Sequence, residues 1–245
     1  MNFNDPVESW PEFPRVKFNR DALHPGLIVS VRSKSTLGTM IQDMQEIAYQ
    51  RYCDKRDIEY VAPWANHNGL LMQWPGTPNW AVGEALAQGS VMTPIEEYER
   101  EMSEGLIEVR VYEVLGASEA DCIRACQNWL TYIKGQDYDW TAYPRLFFKT
   151  RFMNLENSRI PGLRRLGAIA AGSEWDRWCT EGAVHPYQMW EPRIEIVGWT
   201  KNVIPMHIEQ AAGELARVPA CPVTVRNITA DCIIDTRSDV VEDNE

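Results

Sequence analysis

Three short apolar segments in succession between residues 58 and 86 constrain this chain more than any other feature. Ile58 to Val61, His67-Asn-Gly-Leu-Leu-Met-Gln73 and Trp80-Ala-Val-Gly-Glu-Ala-Leu86 each read as a strand, and Pro75-Gly76 turns the chain between the last two. Consecutive strands on such short links pair antiparallel. Helix signals flank them. Ser35 or Thr36 caps a helix carrying Ile41, Met44, Ile47 and Ala48 to about Asp54, and Thr93 as N-cap with Pro94 at the first position opens another.

Further elements extend the pattern. Gly26-Leu-Ile-Val-Ser-Val-Arg32 reads as a buried strand, and Leu106 to Leu115 as another through its alternating Ile107, Val109 and Val111. Ser118 with Asp121 forms a capping box for a helix ending near Lys134, where Gly135 stops it. A helix at Cys179 follows, then a strand-like Ile194 to Trp199, a helix near Ile208 to Leu215 and a late strand from Val223 to Ile234. A meandering sheet between helices is an α+β arrangement. One domain over 25–236 is expected, with an extended Pro-rich arm at 1–24 and an acidic tail at 237–245. A basic insertion at about 141–172 carries Arg145, Lys149, Arg151, Arg159, Arg164 and Arg165, and reads as a solvated loop or as a lid contacting an acidic substrate.

Charge and cysteine usage exclude several classes. With 24 Lys+Arg against 35 Asp+Glu the net charge is −11, which repels nucleic acid and anionic membrane surfaces. The first residues lack a basic segment leading into an apolar run, and no stretch approaches the length of a membrane span, so a cytoplasmic chain is expected. Six cysteines are scattered through a chain too large to need bridges, and they are expected reduced. Cys122 and Cys126 have no second Cys or His pair at zinc-finger spacing, so neither metal nor cofactor is expected. Asn227-Ile-Thr matches a glycosylation acceptor, with no secretion signal to give it meaning. Ten Trp residues serve as core and rim or line a groove.

Chemistry points to Glu174-Trp-Asp-Arg-Trp-Cys179. A thiol becomes a nucleophile as the thiolate, which a helix N-terminus or an imidazolium favours. Cys179 sits where a helix begins, although a free cysteine is equally at home in a core. Of four histidines, His24 precedes a proline in a loop, His185 shares the segment of Cys179, and His207 lies between Met206 and Ile208. His67 opens a strand, from whose end its ring can face a helix. Glu84, on the next strand between Gly83 and Ala85, is placed to orient that ring by cross-strand pairing. Taken singly, His67 also reads as a structural histidine and Glu84 as a strand-edge carboxylate.

The same residues carry a resemblance. His67-Asn-Gly-Leu-Leu-Met, then Val82-Gly-Glu84-Ala85 with Gly89-Ser-Val91 and Thr93-Pro94, then Gly135-Gln-Asp-Tyr138-Asp139, then Trp178-Cys179-Thr180-Glu181, resemble in this order the circularly permuted NlpC-type papain-like cysteine hydrolases. Gly26-Leu-Ile-Val with Ser35 and Ile41 resembles that family's opening strand and helix, so the match spans about 25 to 190. It implies a permuted papain-like fold: an antiparallel, small barrel-like sheet packed on helices, with the catalytic cysteine at a helix N-terminus. It further implies Cys179 as nucleophile, His67 as general base and acid, Glu84 orienting the imidazole, and the Cys179 backbone N–H holding the oxyanion. Gly182-Ala183, where the family has bulky apolar residues, and the 141–172 insertion depart from the pattern.

The expected activity is a cysteine hydrolase cleaving an amide, peptide or thioester bond in a peptide, amide or acylated substrate through an acyl-enzyme. Tyr138, Trp64 and Trp178 are candidates for substrate contact. The alternatives are an idle binding module on the same fold and a lipid-type acyltransferase. A wall-lytic role would need a lysing cell or a virus particle for export.

Overall fold

The computed structural model describes residues 15–86, 88–137, 179–189, 193–197, 205–216 and 223–236. The 141–172 insertion, Tyr138, Trp178, Cys221 and the 237–245 tail lie outside the described residues. In chain order the elements are β1 (Val16–Phe18), a 3-10 turn (Arg20–Ala22), β2 (Ile28–Ser33), α1 (Thr36–Asp54), β3 (His67–Gln73), β4 (Trp80–Leu86), β5 (Gly89–Pro94), α2 (Ile95–Ser103), β6 (Ile107–Val114) and α3 (Glu119–Tyr132). After them come α4 (Cys179–Gln188), α5 (Met206–Ala212), β7 (Val225–Asn227), α6 (Thr229–Cys232) and β8 (Ile233–Asp235).

Strands β2 to β7 form one antiparallel sheet in the order β5-β4-β3-β2-β6-β7, and β1 pairs with β8 beside it. The fold is α+β, and its sheet is open rather than barrel-like. The end strands β5 and β7 pair only with β4 and β6 among the described residues. Helices take up the apolar faces, so burial does not require the sheet to close on itself. The period of two is visible in β3: Leu70 and Met72 join Trp129 of α3 and Val184 and Tyr187 of α4 in one cluster. Leu71 joins Val82, Val111 and α2's Ile95, Tyr98 and Met102 in another.

Local chemistry explains most boundaries. Ser35 caps α1 by accepting from the Gly38 N–H, and Ser118 with Asp121 forms the capping box at α3. Three readings change. Ile58 to Val61 is an extended link rather than a strand: Ile58 N–H returns to the Cys53 carbonyl at 3.1 Å, and Asp57 turns the chain with φ of 54°. The segment from Val223 to Ile234 divides into β7, α6 and β8. Asn227 Oδ1 accepts from both the backbone N–H and the hydroxyl of Thr229, at 3.0 and 2.6 Å, and this local turn ends the strand. Residues 193–197 contain no strand, although Ile196 and Val197 are buried. Of the arm, Val16 and Phe18 are buried, and the Phe18 N–H donates to Glu99 at 2.8 Å.

Candidate active site

Sheet register places the first two site residues. Glu84 of β4 lies opposite Gly69 of β3, so His67, two residues earlier, is its diagonal neighbour on the same face. Gly69 is needed there, because a Cβ would fall 2.3 Å from Val82 Cγ1 and 3.3 Å from Glu84 Cβ. With that space open, His67 Nε2 donates to Glu84 Oε2 at 2.5 Å. The Tyr98 hydroxyl of α2 donates to the same oxygen at 2.7 Å. Thr93 adds a third contact to Glu84. Its side chain therefore does not cap α2, whose N-cap is Pro94 without a side-chain bond. Glu84 is only 3% exposed, and burial pushes its carboxyl up. The hydrogen bond and charge of His67, with the Thr93 and Tyr98 hydroxyls, outweigh burial and hold it below its usual range.

Helix α4 supplies the thiol. Cys179 and Thr180 are the first described residues of the helix, and a buried polar chain fixes them on the sheet. Ser30 of β2 donates to Asn68 Oδ1 at 2.5 Å, and Asn68 Nδ2 donates to the Thr180 hydroxyl at 3.0 Å. All three are 0% exposed, so their bonding tolerates little displacement. Asn68 is the neighbour of His67, so the bond that seats the helix also sets the thiol beside the ring.

Cys179 and His67 are neighbours near enough for each to shift the other. Glu84 occupies Nε2, so Nδ1 is the ring nitrogen not engaged by the carboxylate. Burial raises the Cys179 thiol. The bond and charge of His67, the Asn68 backbone N–H and the Thr180 hydroxyl reverse this and bring it below its ordinary value. Burial works against the His67 charge, yet the Cys179 bond and charge, followed by those of Glu84, push the ring up to about 10. A thiol lowered and an imidazole raised both favour the thiolate–imidazolium form of the couple. The His67 side chain retains 17% of its surface, the open side of a couple whose cysteine is 1% exposed.

The structure thus brings together Cys179, His67 and Glu84. Trp64, three residues before His67, is half-buried with the Arg110 guanidinium 4.2 Å above its ring. Tyr138 and Trp178 lie outside the described residues. His24 Nδ1 lies 3.0 Å from its neighbour's carbonyl, and burial pushes His207 down to about 3. Among the described residues a Cβ on Gly182, three residues after Cys179, would meet only Trp129 Nε1 at 3.9 Å, whereas one on Gly83 would be pressed by the same indole at 2.7 Å. Pro186, inside α4, lacks the N–H that would have bonded the Gly182 carbonyl.

Sequence reasoning missed Tyr98, Ser30 and Asn68. Tyr98 sits at helical spacing between Ile95 and Met102 and reads as core. A signal for Asn68 was present, since Asn66 and Asn68 flank the histidine at the head of an apolar strand. Cys53, Cys122, Cys126, Cys179 and Cys232 are free thiols. Among the described residues no group of three or more His, Cys, Asp or Glu could hold a metal ion, and no helix is long and apolar enough to cross a membrane.

No protein-family model matches the chain, and no curated protein matches it. Among solved structures it is similar to the crystal structure of metalloprotein yiiX from Escherichia coli O157:H7, DUF1105. The two are 16% identical, with 83% of this chain and 88% of that chain covered and a TM-score of 0.41.

Proposed function

We propose that this chain is a cysteine hydrolase of permuted papain-like type, cleaving an amide, peptide or thioester bond through an acyl-enzyme on Cys179. The observation that carries this reading is the coupled pair: a thiol shifted down and an imidazole shifted up by each other, with a carboxylate behind the imidazole. A structural buried cysteine shows the opposite shift. Cys126 is pushed up to about 12 by burial.

In the first half-reaction the Cys179 thiolate attacks the substrate carbonyl carbon. A sulfur–carbon bond forms and the carbonyl π electrons move to oxygen. In this reading the Cys179 backbone N–H receives this oxyanion. As the tetrahedral species collapses, His67 gives its Nδ1 proton to the leaving nitrogen or sulfur, and the scissile bond breaks. In the second half-reaction neutral His67 takes a proton from water, the hydroxide attacks the thioester, and thiolate leaves as the acid forms. Glu84 keeps the ring in the tautomer and orientation both halves require.

Trp64 is a wall of the substrate groove in this reading. Free thiols suit a reducing compartment, and we place the enzyme in the cytoplasm, or in a virus particle or lysing cell if its substrate lies outside. Reaction with an activated acyl ester tests the proposal. A burst of one leaving group per chain, with the acyl group located on Cys179 by mass spectrometry and absent in Cys179→Ala, is expected. Steady release without a burst, equal in both proteins, would exclude it.

A further inference from the structure

Glu209 is a buried carboxylate that this chemistry does not use. It sits on α5, 2% exposed, and its two oxygens accept the Trp64 N–H at 3.0 and 2.9 Å. Oε1 also accepts the Ala65 N–H at 2.9 Å. The carbonyl of Ala65 is held as well: Gln45 of α1 donates Nε2 to it at 2.9 Å and accepts the N–H of Met206, the first residue of α5, at 2.8 Å. Glu209, Ala65, Gln45 and Met206 therefore close a ring of hydrogen bonds joining α1, α5 and the backbone that enters β3. Asn66 continues the grip, because its side chain accepts from the Ser33 N–H at 2.9 Å and donates to the Ser33 carbonyl at 2.8 Å. The next residue is His67.

We propose that Glu209 is a positioning residue for the catalytic histidine. As a carboxylate it fixes the Trp64–Ala65 backbone, and through it the His67 ring and the Trp64 wall, in register with Cys179. The proposal rests on the hydrolase reading above. Two consecutive N–H groups make three contacts with the carboxylate, the Trp64 N–H being shared between both oxygens, and a side chain with one acceptor oxygen loses the contact to Oε2.

Charge makes the grip titratable. Burial pushes the Glu209 carboxyl up to about 7, against the lowering by the Ala65 and Trp64 N–H groups and Arg110, and Glu214 adds to the rise. Among the described residues the ionisable groups facing it are Arg110 of β6, which pairs with Glu214 at 3.0 Å, Glu214 itself just past α5, and the Tyr112 hydroxyl. His207 on its own helix is kept neutral by burial. Protonation turns one oxygen into a donor and leaves the two N–H groups with less to bond.

The test follows iodoacetamide alkylation of Cys179 in the intact chain from about pH 5 to about pH 9, in wild type and in Glu209→Gln, which keeps the size and one acceptor. Wild type is expected to show two rises, one for the thiolate and one near neutrality. Glu209→Gln is expected to lack the second and to react about ten- to a hundredfold more slowly at alkaline pH. If both profiles coincide while Cys179 still outpaces Cys53 and Cys232, Glu209 is structural only and the hydrolase reading stands. If Cys179 does not outpace them in wild type, both fail. Should Glu209→Gln not fold, a wild-type profile with a single rise overturns the proposal.

Discussion

Tyr98 donates its hydroxyl to Oε2 of Glu84 at 2.7 Å, and that oxygen also receives the His67 ring at 2.5 Å. One carboxylate oxygen thus has its position fixed from α2 and its charge directed at the imidazole. Tyr98→Phe removes the donor and leaves the ring volume. The buried carboxyl of Glu84 then titrates higher, is neutral over more of the acid range, and favours the imidazolium less. Alkylation of Cys179 near pH 6 is expected to slow about tenfold, with about 1–3 kcal/mol lost from stability. Alkylation kinetics with thermal unfolding measure both. An unchanged rate with unchanged stability would mean that the bond does not act on the couple.

The couple gives hydrolysis and alkylation different alkaline limits. His67 is raised, so its contribution to stability is complete below its ordinary value of 6.5 and is lost as pH rises through about 10. Cys179 is lowered, so its contribution is present above its ordinary value and is lost as pH falls through its folded value. Above about 10 the thiolate persists while the acid needed by the leaving group is gone. Ester or amide turnover is expected to fall there while the alkylation rate holds. Parallel pH profiles check this, and a common fall of both on the alkaline side would contradict it.

Two glycines near the site differ in what they tolerate. Gly69→Ala sets a Cβ 2.3 Å from Val82 and 3.2 Å from the Gly83 carbonyl, so it is expected to cost about 1–3 kcal/mol and to displace His67 from Glu84. Among the described residues Gly182→Ala meets only the Trp129 indole at 3.9 Å, and it is expected to gain up to about 1 kcal/mol from helix propensity, with Cys179 as reactive as before. Chemical denaturation of both variants tests the contrast. Equal losses in the two would contradict it.

The buried chain from Ser30 through Asn68 to Thr180 ties α4 to the sheet. Thr180→Val leaves Asn68 Nδ2 unpaired at similar volume. A stability loss of about 1–3 kcal/mol and slower Cys179 alkylation are expected together, because the same bond seats the helix and the thiol. Loss of stability with an unaltered rate would separate the two roles.

How far the sequence disclosed this arrangement depends on where each interaction originates. The antiparallel order of β3 and β4 and the capping of α1 and α3 are local, set by Pro75-Gly76, Ser35 and Ser118, and they were legible. So was the pairing of His67 with Glu84 across β3 and β4. Closure of the sheet was misjudged, because the residues of β5 and β7 do not encode whether helices cover the faces. The hydroxyl of Tyr98 and the carboxylate of Glu209 were invisible for a related reason. Tyr98 lies among core-spaced residues of α2, and Glu209 bonds to backbone at Trp64 and Ala65, where side-chain identity carries no signal.

The most direct measurement compares alkylation rates of the individual cysteines by iodoacetamide near pH 6, mapped by mass spectrometry. Cys53, Cys179 and Cys232 are at most 1% exposed, so access alone does not separate them. Burial raises Cys232 to about 11, whereas the imidazolium of His67 lowers Cys179. Cys179 is expected to react on the order of a hundredfold faster than the other two, and His67→Ala is expected to remove that advantage. A Cys179 rate equal to those of Cys53 and Cys232, or a fast rate that survives His67→Ala, would contradict an activated thiolate at this site.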